Sequence, residues 1–236
     1  MMRGRLISLR KADGFLWVFW FVLGVMWRWA TRRWAFPWIF LAAPLALLLI
    51  AGNDPGDVLP LLISCVAYTG PAAFIAGWRR SRTRRRLAGL LYPSVAGRST
   101  LVLPEVLLPV LAGALPSLGL LVAWGDISGP VPWQLWTVVP FAAVSAMSIT
   151  VILERYLGPS GDALNLLAFM SQGAGAQWAL SPVYQLLVPH GYVLWTLRWA
   201  EGAGAALHGD IYVFVSVLGG TGLLILAIRI LGETGD

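Results

Sequence analysis

Residues 79–98 read RRSRTRRRLAGLLYPSVAGR, and the arrangement of the rest of the chain follows from them. Six arginines fall between positions 79 and 86. A short apolar segment, Leu87 to Tyr92, comes next, then Pro93 and a return of charge at Arg98. Long uncharged runs flank the stretch on both sides. Arginine and lysine beside an apolar run are retained on the cytoplasmic side of a membrane. Residues 79–100 therefore read as a cytoplasmic loop, and they orient every run around them.

The composition agrees. Of 236 residues, 58% are hydrophobic and only 12% are charged, against roughly a quarter charged in a soluble domain. An all-α integral membrane protein is expected. The net charge of +6 does not indicate nucleic acid, because the basic residues sit at the edges of apolar runs, where membrane orientation accounts for them. The single cysteine, Cys65, excludes an internal disulfide and lies within an apolar run, where it reads as a small packing residue. The first apolar run leads into WRWATRRW rather than a small-residue cleavage site, so no signal peptide is expected.

Residues 1–33 read as a basic cytoplasmic tail followed by an interfacial or re-entrant helix over 14–32. The apolar run 15–27 would cover only about 20 Å as a helix, short of a hydrocarbon core of about 30 Å. Lying in the inner interface would keep Arg3, Arg5, Arg10 and Lys11 inside and suit the local tryptophans. Six spanning helices are then expected at 34–53, 58–78, 101–125, 132–153, 163–181 and 211–231. With both termini inside, every one of the 17 basic residues except Arg198 lies in the cytoplasm or at its interface. The reverse orientation would put almost all of them outside, against the positive-inside rule. Between the last two spans, Pro182, Pro189 and Gly191 break an uncharged stretch too long for one helix. Residues 182–208 therefore read as an outer re-entrant hairpin, which must be packed against protein or water because its backbone is not fully helical.

An amino-terminal interfacial helix, six spans, a basic loop holding a short helix, and a broken hairpin before the last span together resemble the permease subunits of type-2 ABC exporters. The local likeness lies in LAGLLYPSVAGRSTLVLPEVLLPVLAG, residues 87–113, and in the hairpin segment PVYQLLVPHGYVLWTLRWA, residues 182–200. The resemblance implies that Arg84, Arg85, Arg86, Leu87, Leu90, Leu91 and Tyr92 dock in a groove of an ATPase subunit. It implies an outer gate carrying Pro182, Tyr184, Pro189, His190 and Trp195, and a second permease copy or a homologous permease beside this one in a bacterial inner membrane. The acidic residue that such permeases often carry before the leucine pair is replaced here by arginine. ATP and magnesium would belong to the partner: the GxxxxGK[ST] phosphate loop is absent and Lys11 is the only lysine. No cofactor or metal is expected in this chain, and membrane lipid is the other expected partner.

Other assignments compete at particular residues. The arginine run could serve as a topology signal and a contact for anionic lipid head groups. Glu105 opens the third span, where a carboxylate needs a cation or the interface. Pairing with an arginine at a cytoplasmic gate is expected, Arg98 being near it in sequence, and a solvated interfacial carboxylate is the alternative. Gly158-Pro159-Ser160-Gly161 has the G-x-S-G shape of rhomboid intramembrane proteases. The topology, however, puts Ser160 inside and both histidines, His190 and His208, outside, whereas nucleophile and base must approach within about 3 Å. His190, Glu201, His208 and Asp210 fit no common metal-ligand spacing. A haem or cofactor exporter of cytochrome maturation would share the architecture, and a non-transporting membrane anchor or immunity protein would need no ATPase.

Overall fold

The computed structural model describes residues 12–32, 55–158, 160–161 and 209–233. They form six α-helices, with no strand among the described residues: α1 (Ala12–Arg32), α2 (Pro55–Arg79), α3 (Arg82–Leu91), α4 (Val95–Ser128), α5 (Trp133–Leu157) and α6 (Gly209–Glu233). The spans expected at 34–53 and 163–181, residues 1–11, and the hairpin 182–208 with Pro182, Tyr184, Pro189, His190 and Trp195 lie outside the described residues.

Among the described residues, four stretches of helix are long and apolar enough to cross a membrane: Gly14–Arg32, Gly97–Asp126, Trp133–Leu157 and Val213–Glu233. They mark the chain as a membrane protein. The first of them coincides with the helix expected over 14–32, and by length alone it could either span or lie in the interface. The expected span 58–78 falls within α2, a helix of 25 residues. Helix α2 lies against both α4 and α5, and Ser64, Tyr68 and Pro71 are buried along it.

Helix α4 starts at Val95, six residues before the expected start of the third span. Ser94 adopts an extended conformation and its hydroxyl accepts the Gly97 N–H at 3.0 Å, which caps the helix. Gly97 fits because any Cβ there would overlap the Leu91 carbonyl. The 34 residues of α4 span about 51 Å, more than the hydrocarbon core, so its ends must project from the bilayer. Pro104, Pro109 and Pro116 lie inside it without ending it, as membrane helices tolerate when neighbours re-satisfy the freed backbone groups. At the far ends, Gly129 (φ 102°) and Gly158 (φ 57°) terminate α4 and α5 in conformations that favour glycine.

Two apolar clusters divide the bundle along its length. One gathers Val22 and Met26 of α1, Phe74 and Trp78 of α2, Ala88 of α3, Leu101 of α4, Val151 of α5 and Leu231 of α6. The other joins Leu62 of α2, Leu121 and Trp124 of α4 and Leu135 and Val139 of α5, with Val213 of α6 packed against it. Every arginine among the described residues lies at the first end, from Arg28 on α1 to Arg229 on α6. Among the described residues, helix α1 packs into the cluster at that end alone. Lipid tails are as apolar as leucine, so contact between membrane helices depends on close packing and polar links rather than on escape from water. Both devices are present. Ser117 donates to the Gly113 carbonyl of its own helix at 2.8 Å with the Ile63 carbonyl of α2 at 3.3 Å, and Gly220 of α6 sits against Phe141 and Ser145 of α5.

Candidate functional site

Helix α3 is two-sided for a reason written in its register. Ser81, in an extended conformation, accepts the Arg84 N–H at 3.1 Å and starts the helix immediately after α2. Positions 84, 88 and 92 are one turn apart and share a face. That face carries arginine, alanine and tyrosine, and all three are buried. Leu87 and Leu91 flank it, half-buried against the same core. The opposite face carries Arg82, Arg85, Arg86, Gly89 and Leu90, all exposed, with Leu90 at 73%.

Beneath α3 lies a buried ion pair. Arg84 Nε meets Glu105 Oε1 at 2.8 Å, and the side chains are 5% and 0% exposed. A second guanidinium nitrogen, Nη2, lies 3.4 Å from Oε2. The Trp78 indole N–H donates to the same Oε1 at 2.8 Å. Arg84 Nη2 also donates to the Tyr92 hydroxyl at 3.1 Å, and that hydroxyl donates to the Leu231 carbonyl at 2.5 Å. Trp78 closes α2, Glu105 is on α4 and Leu231 is in the last turn of α6, so this network ties α3 to three long helices. Burial works against the Arg84 charge, but Glu105 and Tyr92 outweigh it and hold the guanidinium above its ordinary pKa.

A second polar link fixes α5 at the same end. Arg79 Nη1 lies 3.4 Å from Glu154 Oε2 and donates to the Val151 carbonyl at 3.3 Å, while Arg80 Nε approaches Glu154 Oε1 at 3.6 Å. Trp29 of α1 meets the rings of Phe74 and Trp78 edge-on, with centroids 5.9 and 5.4 Å apart.

Two assignments made from sequence change. Arg84 and Tyr92, expected among the residues that dock a partner, face inward and hold α3 to the bundle. Arg85, Arg86 and Leu90 keep an outward position, and Leu87 and Leu91 lie at its edge. Glu105 is paired, but with Arg84 rather than Arg98. Arg98 is exposed, and its Nε donates to the Tyr92 carbonyl at 2.8 Å, closing the turn between α3 and α4. Sequence reasoning missed Trp78, the Leu231 carbonyl and the Arg79–Glu154 link. The signal for the first lay in the repeat of positions 84, 88 and 92, which places one arginine of the run on an apolar stripe. Ser160 is exposed just beyond Gly158, and no group of metal-ligating side chains occurs among the described residues.

The network gives a direct expectation for Tyr92→Phe. The loss of one hydroxyl removes a bond to the Leu231 carbonyl and one to Arg84, at a cost of about 1–2 kcal/mol. Hydrogen exchange should quicken in the last turn of α6 and in α3, with α5 unchanged. Equal exchange everywhere would show that the hydroxyl carries no such link.

The chain matches no protein-family model, no curated protein and no solved structure.

Proposed function

We propose that this chain is the membrane-spanning permease subunit of an ATP-driven exporter, working beside a second permease and driven by a separate ATPase subunit. One observation carries the proposal: α3 exposes Arg82, Arg85, Arg86 and Leu90 while its inner face is bonded to α4 and α6, and through Glu105 to α2. A motor outside the membrane needs a surface element that it can grip and that cannot move without moving the spans. Arginines for steering around a protruding leucine anchor suit the gripping side. The buried Arg84–Glu105 pair suits the other. The likeness to type-2 ABC permeases, noted from sequence, supplies the reaction class; ATP and magnesium belong to the partner.

On this proposal the protein sits in a bacterial inner membrane with both termini cytoplasmic. Residues 34–53 and 163–181 complete six spans with α2, α4, α5 and α6, and 182–208 form an outer gate. Helix α1 lies in the inner interface. It is the least apolar of the four membrane-length helices and engages only the arginine-rich half of the bundle.

The test is purification of the tagged chain from its host in mild detergent, with quantification of bound proteins. The wild type should retain a stoichiometric ATPase. A variant carrying Arg85→Glu, Arg86→Glu and Leu90→Ala should retain at least roughly tenfold less, since loss of a few anchoring contacts costs more than 1.4 kcal/mol, while eluting as the same folded species. A wild type that emerges alone, and still acts in its host, would sink the exporter proposal.

A further inference from the structure

We propose that the outward face of α1 is a docking surface for anionic phospholipid, with Arg28 and Arg32 taking the phosphates and Trp17, Trp20 and Trp27 seated at the headgroup boundary. The helix is divided cleanly. Val22, Met26 and Ala30 are buried against the bundle. At about 100° per residue, positions 16, 17, 20, 21, 27, 28 and 32 fall on the opposite arc, and all seven are exposed. The three tryptophans on it are 60–67% exposed, and Trp17 and Phe21 stack with centroids 5.8 Å apart. Nothing else among the described residues covers this arc.

Its chemistry selects the occupant. Indole rings prefer the membrane interface, where an apolar body meets a polar edge. The two arginines follow in the last turns of the helix, on the same arc and at the arginine-rich end of the bundle. Neither has an ion-pair partner among the described residues. The one carboxylate of the helix, Asp13, stands in its first turn, about 22 Å along the axis from Arg28. A second copy packed parallel on this surface would bring no negative charge to these arginines, whereas anionic lipid supplies it along the whole interface. The arrangement is the tryptophan-and-arginine pattern by which an interfacial helix holds an acidic leaflet. This inference rests on the interfacial placement of α1 given under the proposed function, but it does not require an ATPase, so capture of an ATPase and lipid preference can fail separately.

The experiment is native mass spectrometry of the delipidated protein titrated with phosphatidylglycerol or phosphatidylcholine. The wild type should retain phosphatidylglycerol preferentially. Arg28→Gln with Arg32→Gln should lower that preference by roughly thirtyfold, which is what two arginines at an acidic surface amount to. Arg155→Gln, also exposed at this end, should leave it unchanged. Both variants alter exposed side chains, and elution as a single species checks folding. Equal binding of the two lipids by wild type would overturn the proposal, as would a preference that survives the double substitution. A third overturning result is disulfide-linked dimerisation of Trp20→Cys in native membranes after Cys65→Ser, which would place a second copy on this face.

Discussion

Replacing Glu105 with alanine is expected to destabilise the protein by about 3–5 kcal/mol and to lower its melting midpoint in detergent by about 10 °C. The size follows from what is left behind rather than from what is removed. Arg84 is fixed in the interior by the Ser81 cap at its backbone and by Tyr92 at its side chain. Without Glu105 its guanidinium remains buried with no counter-charge, and the Trp78 N–H loses its acceptor as well. Removing one member of a buried pair is costly for that reason, whereas replacing both with apolar residues of similar volume is often neutral. Arg84→Met with Glu105→Leu should therefore recover most of the stability. The pair would then be dispensable for folding, and on the exporter proposal any remaining defect in transport would report on transmission through α3. A midpoint that barely moves in Glu105→Ala would mean that Arg84 escapes to solvent and that α3 is not held as described.

The exposed Arg229–Glu233 pair makes the contrast. Its 2.9 Å geometry resembles that of the buried pair, but the side chains are 77% and 55% exposed. Water and salt screen it, and little stability is expected from it. Distance alone does not rank these interactions; burial does.

The membrane character was legible in the sequence because length and apolarity are local properties. The ends of α5 and α6 fall within a few residues of the expected spans for the same reason. The start of α4 was less legible, because Pro93 and Gly97 signal a turn, and only the Ser94 cap shows that the turn is already helix. Glu105 was legible as a group in need of a cation. Its partner was not. Arg98 lies seven residues earlier on the same helix, about 10 Å along the axis, farther than neighbouring side chains on a helix meet. Arg84 is twenty-one residues away in sequence but is brought over Glu105 by the reversal at Tyr92 to Ser94. In a run of arginines, charge gives no means of choosing the one that turns inward. Register does, through Ala88 and Tyr92. The Tyr92–Leu231 contact, 139 positions apart, belongs wholly to tertiary packing.

The crossing of α2 and α4 shows how a residue with no side chain can govern the bundle. Gly113→Leu is expected to destabilise the protein by about 3 kcal/mol, toward the upper end of overpacking costs. A Cβ at 113 would overlap the Pro71 ring of α2 and come within 3.1 Å of the Ala67 carbonyl oxygen. Neither obstacle can rotate away, because one is a ring closed onto the backbone and the other is the backbone itself. Gly220 is different: its first obstacle is the Phe141 ring edge at 2.9 Å, which a side-chain torsion can shift. Gly119, on α4 as well, has nothing within 4 Å, so Gly119→Leu should be tolerated within about 0.5 kcal/mol. The comparison of melting midpoints isolates the crossing from any general effect of leucine on α4. If 113 and 119 respond alike, α2 and α4 do not meet where the structure puts them. If only 113 is intolerant, the two helices that carry Trp78 and Glu105 are held apart by a fixed distance. The ion pair beneath α3 then sits at the end of a stiff lever, as the proposed coupling role requires.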